Sequence, residues 1–132
     1  MGSEMCIRDR QYTVPKTVRS IDNNAFWHCQ KITSVVISNG VSEIEQSAFA
    51  DCSNLKSITL PDTLTSIQEG AFSDCVNLTS ISIPSSVSSL GYRAFGNWTS
   101  NQTIYVKGKN SVPSGWIDGW NDACEAQVIW NQ

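Results

Sequence analysis

The sequence predicts a right-handed solenoid of about five stacked coils, mainly β. It should have one parallel sheet, short helical turns on the opposite wall and a tryptophan-rich C-terminal cap. Three observations lead there. The pair Ala-Phe recurs at Ala25-Phe26, Ala48-Phe49, Ala71-Phe72 and Ala94-Phe95, always 23 residues apart. A fixed period in this range marks units that bury their apolar faces on one another. Around each pair, alternating polar and apolar residues return at the same step, at 34–37, 57–60, 80–83 and 103–106, which is the pattern of a half-buried strand. The period then stops, and Trp116, Trp120 and Trp130 crowd into the last stretch.

Residues 1–10 share nothing with the repeat. The run Glu4-Met5-Cys6-Ile7-Arg8-Asp9-Arg10 resembles the translation of a transposase sequencing adapter, so 1–10 is read as an artefact outside the fold. The solenoid is assigned to 11–110. Its first strand is the remnant ending at Val14, which stands 23 before Ile37. Within a coil, Ile58 and Leu60 and their equivalents point inward, while Ser and Thr mostly point outward. Stacked coils set these strands about 4.8 Å apart as a parallel sheet. Pro61 and Pro84 end their strands, because proline supplies no ladder donor. Beyond the turn, Leu64-x-x-Ile67 and Ala71-Phe72-x-x-Cys75 predict a short extended piece and then one helical turn. The alanine is read as a size constraint where that turn meets the next coil. Each buried Leu, Ile or Phe contributes about 1.5–3 kcal/mol.

In the fourth coil Trp98 replaces the recurring cysteine, and Asn101 stands where Ile32, Leu55 and Leu78 stood. Residues 111–132 are assigned to the cap. Trp116 and Trp120 are four apart, on one face of a short helix, and Val128 and Trp130 alternate like a last strand. A terminal unit must cover the open end of the core.

Composition narrows the function classes. Hydrophobic residues make up 40% of the 132, charged residues only 16%, and the net charge is -3. This balance argues against a nucleic-acid partner, which needs a clustered basic face. No apolar run is long enough to insert in a membrane.

The unit Asn-Leu-x-Ser-Ile-x-Leu/Ile-Pro-x-x-Val/Leu-x-x-Ile-x-x-x-Ala-Phe-x-x-Cys resembles the BspA-like leucine-rich repeat. Leu55, Ile58 and Leu60 give the Leu-x-x-Leu-x-Leu core of leucine-rich repeats. The resemblance runs from Val14 to Val106, and the segment from Pro113 to Trp130 is similar to the one that often closes such arrays. It implies a leucine-rich-repeat solenoid of the horseshoe type. It also implies a surface or secreted protein of bacteria or some protists, with some members associated with binding host matrix proteins or other cells. It brings no catalytic residue and no cofactor.

Cys29, Cys52 and Cys75 occupy one ladder position, with stacked Cα atoms about 5 Å apart, within disulfide range. Without paired Cys-x-x-Cys spacing or histidine partners, they are expected to be buried, reduced thiols rather than a disulfide or a metal site. Cys124 is left open. His28, the only histidine, has Asp51, Asp74 and Asn97 as period-mates and is expected on the surface. Asp51 and Asp74 are read as solvated turn residues, with calcium as the alternative. Asn77, Asn97 and Asn101 begin glycosylation triplets, which matter only in a eukaryotic secreted protein. Trp116 and Trp120 are core cover or, alternatively, a stacking platform for a partner.

The remaining candidate is the outward strand face. One row holds Thr13, Val36, Thr59, Ser82 and Tyr105; the next holds Gln11, Ser34, Ser57, Ser80 and Thr103. Exposed faces of repeat scaffolds are common binding surfaces. The expected function is non-catalytic binding of a protein or glycan surface, such as host extracellular matrix, by a surface or secreted protein, an adhesin being one form. The expected state is a monomer with no catalytic residue, metal or cofactor. The alternatives are a passive spacer and an accessory domain of an extracellular enzyme.

Overall fold

The structure, a computed structural model, describes residues 10–132. The adapter-like stretch lies outside the described residues except for Arg10. That residue belongs to the fold: its carbonyl accepts from the amides of Thr33 and Ser34 at 2.6 and 3.1 Å.

One wall carries β1 (Gln11–Val14), β3 (Ser34–Ile37), β5 (Ser57–Thr59), β7 (Ser80–Ile83), β9 (Thr103–Val106) and β10 (Gln127–Ile129). A second carries the two-residue strands β2 (Ser20–Ile21), β4 (Glu43–Ile44), β6 (Ser66–Ile67) and β8 (Ser89–Leu90). All pairs are parallel, and the 23-residue step holds in Gln11↔Ser34, Ser34↔Ser57, Ser80↔Thr103 and Ile44↔Ile67.

The single sheet expected from the sequence is not what forms. The strand wall is split into β1-β3-β5 and β7-β9-β10, and the second wall is a sheet of its own, β2-β4-β6-β8. The split falls between β5 and β7. There β5 stops at Thr59, and Leu60 is 9% exposed where Val14, Ile37, Ile83 and Val106 are at 0–2%. Leu60 is the one member of that row without a β-branch, and β-branched side chains fit a pleated, packed wall best. Its neighbour Ile58 is only half-buried, whereas Val35, Ile81 and Ile104 are interior.

The expected helical turns are also replaced. Among the described residues no helix forms. Each turn segment is instead three overlapping β-turns, for example Glu45 to Ala48, Ser47 to Ala50 and Phe49 to Cys52, closed by amide–carbonyl bonds of 3.2, 3.1 and 3.4 Å. The amides in between bond to the next coil: Ser47 to Glu69 O, Phe49 to Ala71 O and Asp51 to Ser73 O, at 3.0, 2.9 and 2.8 Å. A helix would turn every amide inward on its own segment and leave the coils unjoined. The alternation needs a left-handed residue twice per turn. These are Asn24 and His28, Ser47 and Asp51, Gly70 and Asp74, then Arg93 and Asn97, with φ between 51 and 64°. Asn, Asp and Gly tolerate this region best.

Inside, Phe26, Phe49, Phe72 and Phe95 are fully buried and stack in a column. Successive ring centroids are 5.1, 5.5 and 5.9 Å apart, with the planes within 7° of parallel. Such pairs contribute about 0.5–1.5 kcal/mol each beyond the area they bury. Ala48, Ala71 and Ala94 are buried where the turns meet, as their size suggests.

The last stretch continues the stack. Trp116 bridges Leu90 in parallel, the amide of Arg93 bonds to Gly119 O at 2.9 Å, and β10 pairs with β9. Extra residues enter this coil, yet it rejoins both walls. Trp98 and Trp120 meet Phe95 edge-on, at 5.1 and 6.4 Å, and close the column.

Phe72→Ala should destabilise the chain by about 3–5 kcal/mol, as for a large aromatic removed from a packed core. Urea unfolding measures it. A loss below about 1 kcal/mol would show that the ring column is not the core of the stack.

Candidate functional site

The strand register aligns the outward row side by side: Thr13↔Val36, Val36↔Thr59 and Ser82↔Tyr105. Thr13, Thr59 and Ser82 are exposed, Val36 is 45% exposed, and Tyr105 is half-buried. Between Thr59 and Ser82 the row crosses the break, where no ladder pairs β5 with β7. The row also runs one step further than its sequence period reaches. Ile129 lies beside Tyr105, a step hidden from sequence reading because the spacing there is no longer 23.

The break opens a groove of about 430 Å³ lined by Lys56, Ser57, Ile58, Thr59, Thr79, Ser80, Ser82 and Lys107. A second hollow of about 430 Å³ adjoins it through Thr59, Leu60 and Lys107 and is bounded by Lys16, Val36 and Asp62. Sequence reading missed these lysines because they flank the strands and fall outside the repeating rows.

Trp116 and Trp120 do not form a platform. They are 4% and 5% exposed, pack edge-on at 5.0 Å, and Trp116 Nε1 donates to Val87 O at 3.2 Å. Their faces are used up in covering the core, which removes them as partner contacts.

The cysteine row divides. Cys29 is disulfide-bonded, which corrects the expectation of three reduced thiols. Cys52 and Cys75 are free and buried, so neither is its partner. Each of their thiols turns to a carbonyl in the preceding coil: Cys52 Sγ donates to Phe26 O at 3.0 Å and Cys75 Sγ to Phe49 O at 3.1 Å. At the next step Trp98 Nε1 donates to Phe72 O at 2.8 Å. The position calls for a buried donor, and an indole N–H serves as well as a thiol. Gln102, 2% exposed, meets a similar need: its Nε2 donates to Cys75 O and Leu78 O at 2.8 and 2.7 Å.

The exposed turn residues pair between coils. His28 Nδ1 lies 2.5 Å from Asp51 Oδ2, and Asn97 Nδ2 donates to Asp74 Oδ1 at 2.8 Å. Both aspartates thus have a partner. Among the described residues no three His, Cys, Asp or Glu side chains converge. The side-chain amides of Asn77 and Asn97 are likewise engaged, Asn77 with Ser53 O at 2.7 Å.

A parallel β-solenoid with a regular outward face of hydroxyls defines a class of repeat protein. The model of the BspA type Leucine rich repeat region matches residues 4–114 in 6 copies, and the chain belongs to that family. Solved structures share the fold. The pneumococcal vaccine antigen PcpA is 22% identical, with a TM-score of 0.76, over 94% of this chain and 31% of its own. A leucine rich cell surface protein from Faecalibacterium prausnitzii is 24% identical, with a TM-score of 0.76, over 94% and 32%. The leucine rich repeat protein of T. pallidum is 24% identical, with a TM-score of 0.70, over 90% and 51%. The chain therefore spans about a third of the length of two of these proteins and about half of the third. No curated protein matches it.

Burial pushes the Cys52 thiol up from its ordinary 9.0 to about 12 and raises Cys75 well above the ordinary value. The folded state keeps both protonated, while an unfolded thiol ionises near 9.0. The stability they contribute is therefore intact below pH 9 and is lost as pH rises toward 12. Cys52→Ser keeps a donor for Phe26 O and removes the titration. Its fall in stability between pH 8 and pH 10.5, followed by urea unfolding, should be smaller than that of the unaltered chain. An identical fall in both would contradict the buried neutral thiol.

Proposed function

We propose that this chain is a non-catalytic binding domain of a surface or secreted protein, and that its outward strand wall takes a protein or glycan surface, as an adhesin does. One observation carries the reading: the strand wall is the one regular face not consumed by the stack. On the turn wall, alternate amides join the coils and the polar side chains of His28, Asp51, Asp74 and Asn97 pair with each other. On the strand wall, Thr13, Val36, Thr59 and Ser82 face solvent in one row, interrupted only by the break between β5 and β7. Tyr105 adds a ring and a hydroxyl, a combination enriched at binding hot spots.

The family supports a binding role, since repeat solenoids present extended faces to partners. The cell-surface protein and the vaccine antigen that share the fold support the location. Among the described residues no helix is long and apolar enough to cross a membrane. Host extracellular-matrix proteins and glycans are the first partners to test.

Binding to a panel of matrix proteins and glycans should weaken at least about tenfold in Val36→Asp/Tyr105→Ala, the scale of a lost hot spot. Trp27→Ala, an exposed change on the turn wall, should leave binding within about twofold. Loss with Trp27 alone would move the site to the other wall. No binding to any member of the panel would favour the spacer role.

A further inference from the structure

The net charge of -3 hides a partition. Among the described residues, Arg10, Lys16, Lys31, Lys56, Lys107 and Lys109 lie within three positions of a strand-wall strand, against only two acids, Asp62 and Glu125. The rest of the chain carries the reverse: eight acids against Arg19 and Arg93. The strand wall of an acidic protein is thus its basic side. Charge so arranged draws an anionic partner to one face and turns it away from the other.

The groove at the sheet break concentrates this. Lys56 and Lys107 both line it, no carboxylate does, and Ser57, Thr59, Thr79 and Ser80 supply hydroxyls. The facing edges of β5 and β7 share no ladder bond, and strand edges present free amides and carbonyls. Two ammonium groups line one groove whose own walls carry no carboxylate, Asp62 lying in the adjoining hollow, and this leaves a place for an anion. The groove, about 430 Å³, falls in the ordinary range of ligand clefts, about 300–1,000 Å³.

We infer that this groove is a subsite for an acidic sugar residue of a polysaccharide. Lys56 and Lys107 hold its carboxylate or sulfate, and the surrounding Ser and Thr side chains meet its hydroxyls. A nucleic acid fits less well. Single-strand binders stack bases on several aromatic rings, whereas Tyr105 is the one ring in the outward row and the groove itself has none.

The inference rests on the strand wall being the binding face, and its test separates the two. The chain is titrated calorimetrically with heparin-derived and hyaluronan-derived oligosaccharides, with neutral dextran of equal length, and with a single-stranded oligonucleotide of equal charge. At least one acidic oligosaccharide should bind, with an affinity that falls as salt rises, and dextran should not. Lys56→Gln/Lys107→Gln should lose about tenfold or more, the size of a lost charge-assisted contact. Arg19→Gln/Arg93→Gln removes the same charge elsewhere and should stay within about twofold. Equal losses in both variants, no loss in the lysine pair, or equal binding of the oligonucleotide would overturn the subsite. If neither acidic oligosaccharide binds while a matrix protein is still held through Val36 and Tyr105, this inference fails alone. If that binding is absent too, both readings fail.

Discussion

The alternation of backbone amides on the turn wall is the constraint on which the rest of the structure depends. In 45–52, one amide closes a turn within the coil and the next reaches the following coil; 22–29 and 68–75 do the same, and 91–98 reaches the last coil through the amides of Arg93 and Asn97. This pattern fixes the distance between coils, and with it the Phe26–Phe49–Phe72–Phe95 column, whose centroids lie 5.1–5.9 Å apart. It demands a left-handed residue at two places in every turn. It also places a phenylalanine carbonyl in the interior, where it accepts the amide that closes its own turn and has room for a second donor from the coil above. Cys52, Cys75 and Trp98 are successive answers to that one requirement.

The stacked fold was legible because its period is strict. Ala-Phe repeats without slippage, and nearly every inward position read from the sequence is buried, from Val14 to Val106. What was not legible depends on relations between coils rather than within them. The spacing of Ala71, Phe72 and Cys75 fits a helical turn, and only the inter-coil bonds show why a helix is excluded. The sheet break at β5 turns on one side-chain shape, Leu60 among β-branched neighbours. At the fourth coil Asn101 keeps the numerical position of Leu78, but Gln102 is the residue that goes inside. The candidate face was predicted row by row. Its basic character was not, since Lys16, Lys56 and Lys107 occupy no common position in the repeat.

The two walls therefore divide the work. The turn wall holds the coils together and pairs its polar side chains across them. The strand wall needs only its inward half for the core, and its outward half faces solvent. The break adds an irregular feature to an otherwise repetitive face. A uniform ladder of hydroxyls presents the same surface in every register, whereas the groove flanked by Lys56 and Lys107 is one place that differs from the rest. On this account, recognition by a repeat scaffold comes from a local departure from the repeat.

The most direct test of this division is hydrogen–deuterium exchange on the chain with and without a bound acidic oligosaccharide or matrix protein. Added protection should concentrate at 56–60, 79–83 and 105–107, while 22–29, 45–52 and 68–75 exchange as in the free chain. Protection centred on those turn segments, with the strand wall unchanged, would contradict the account.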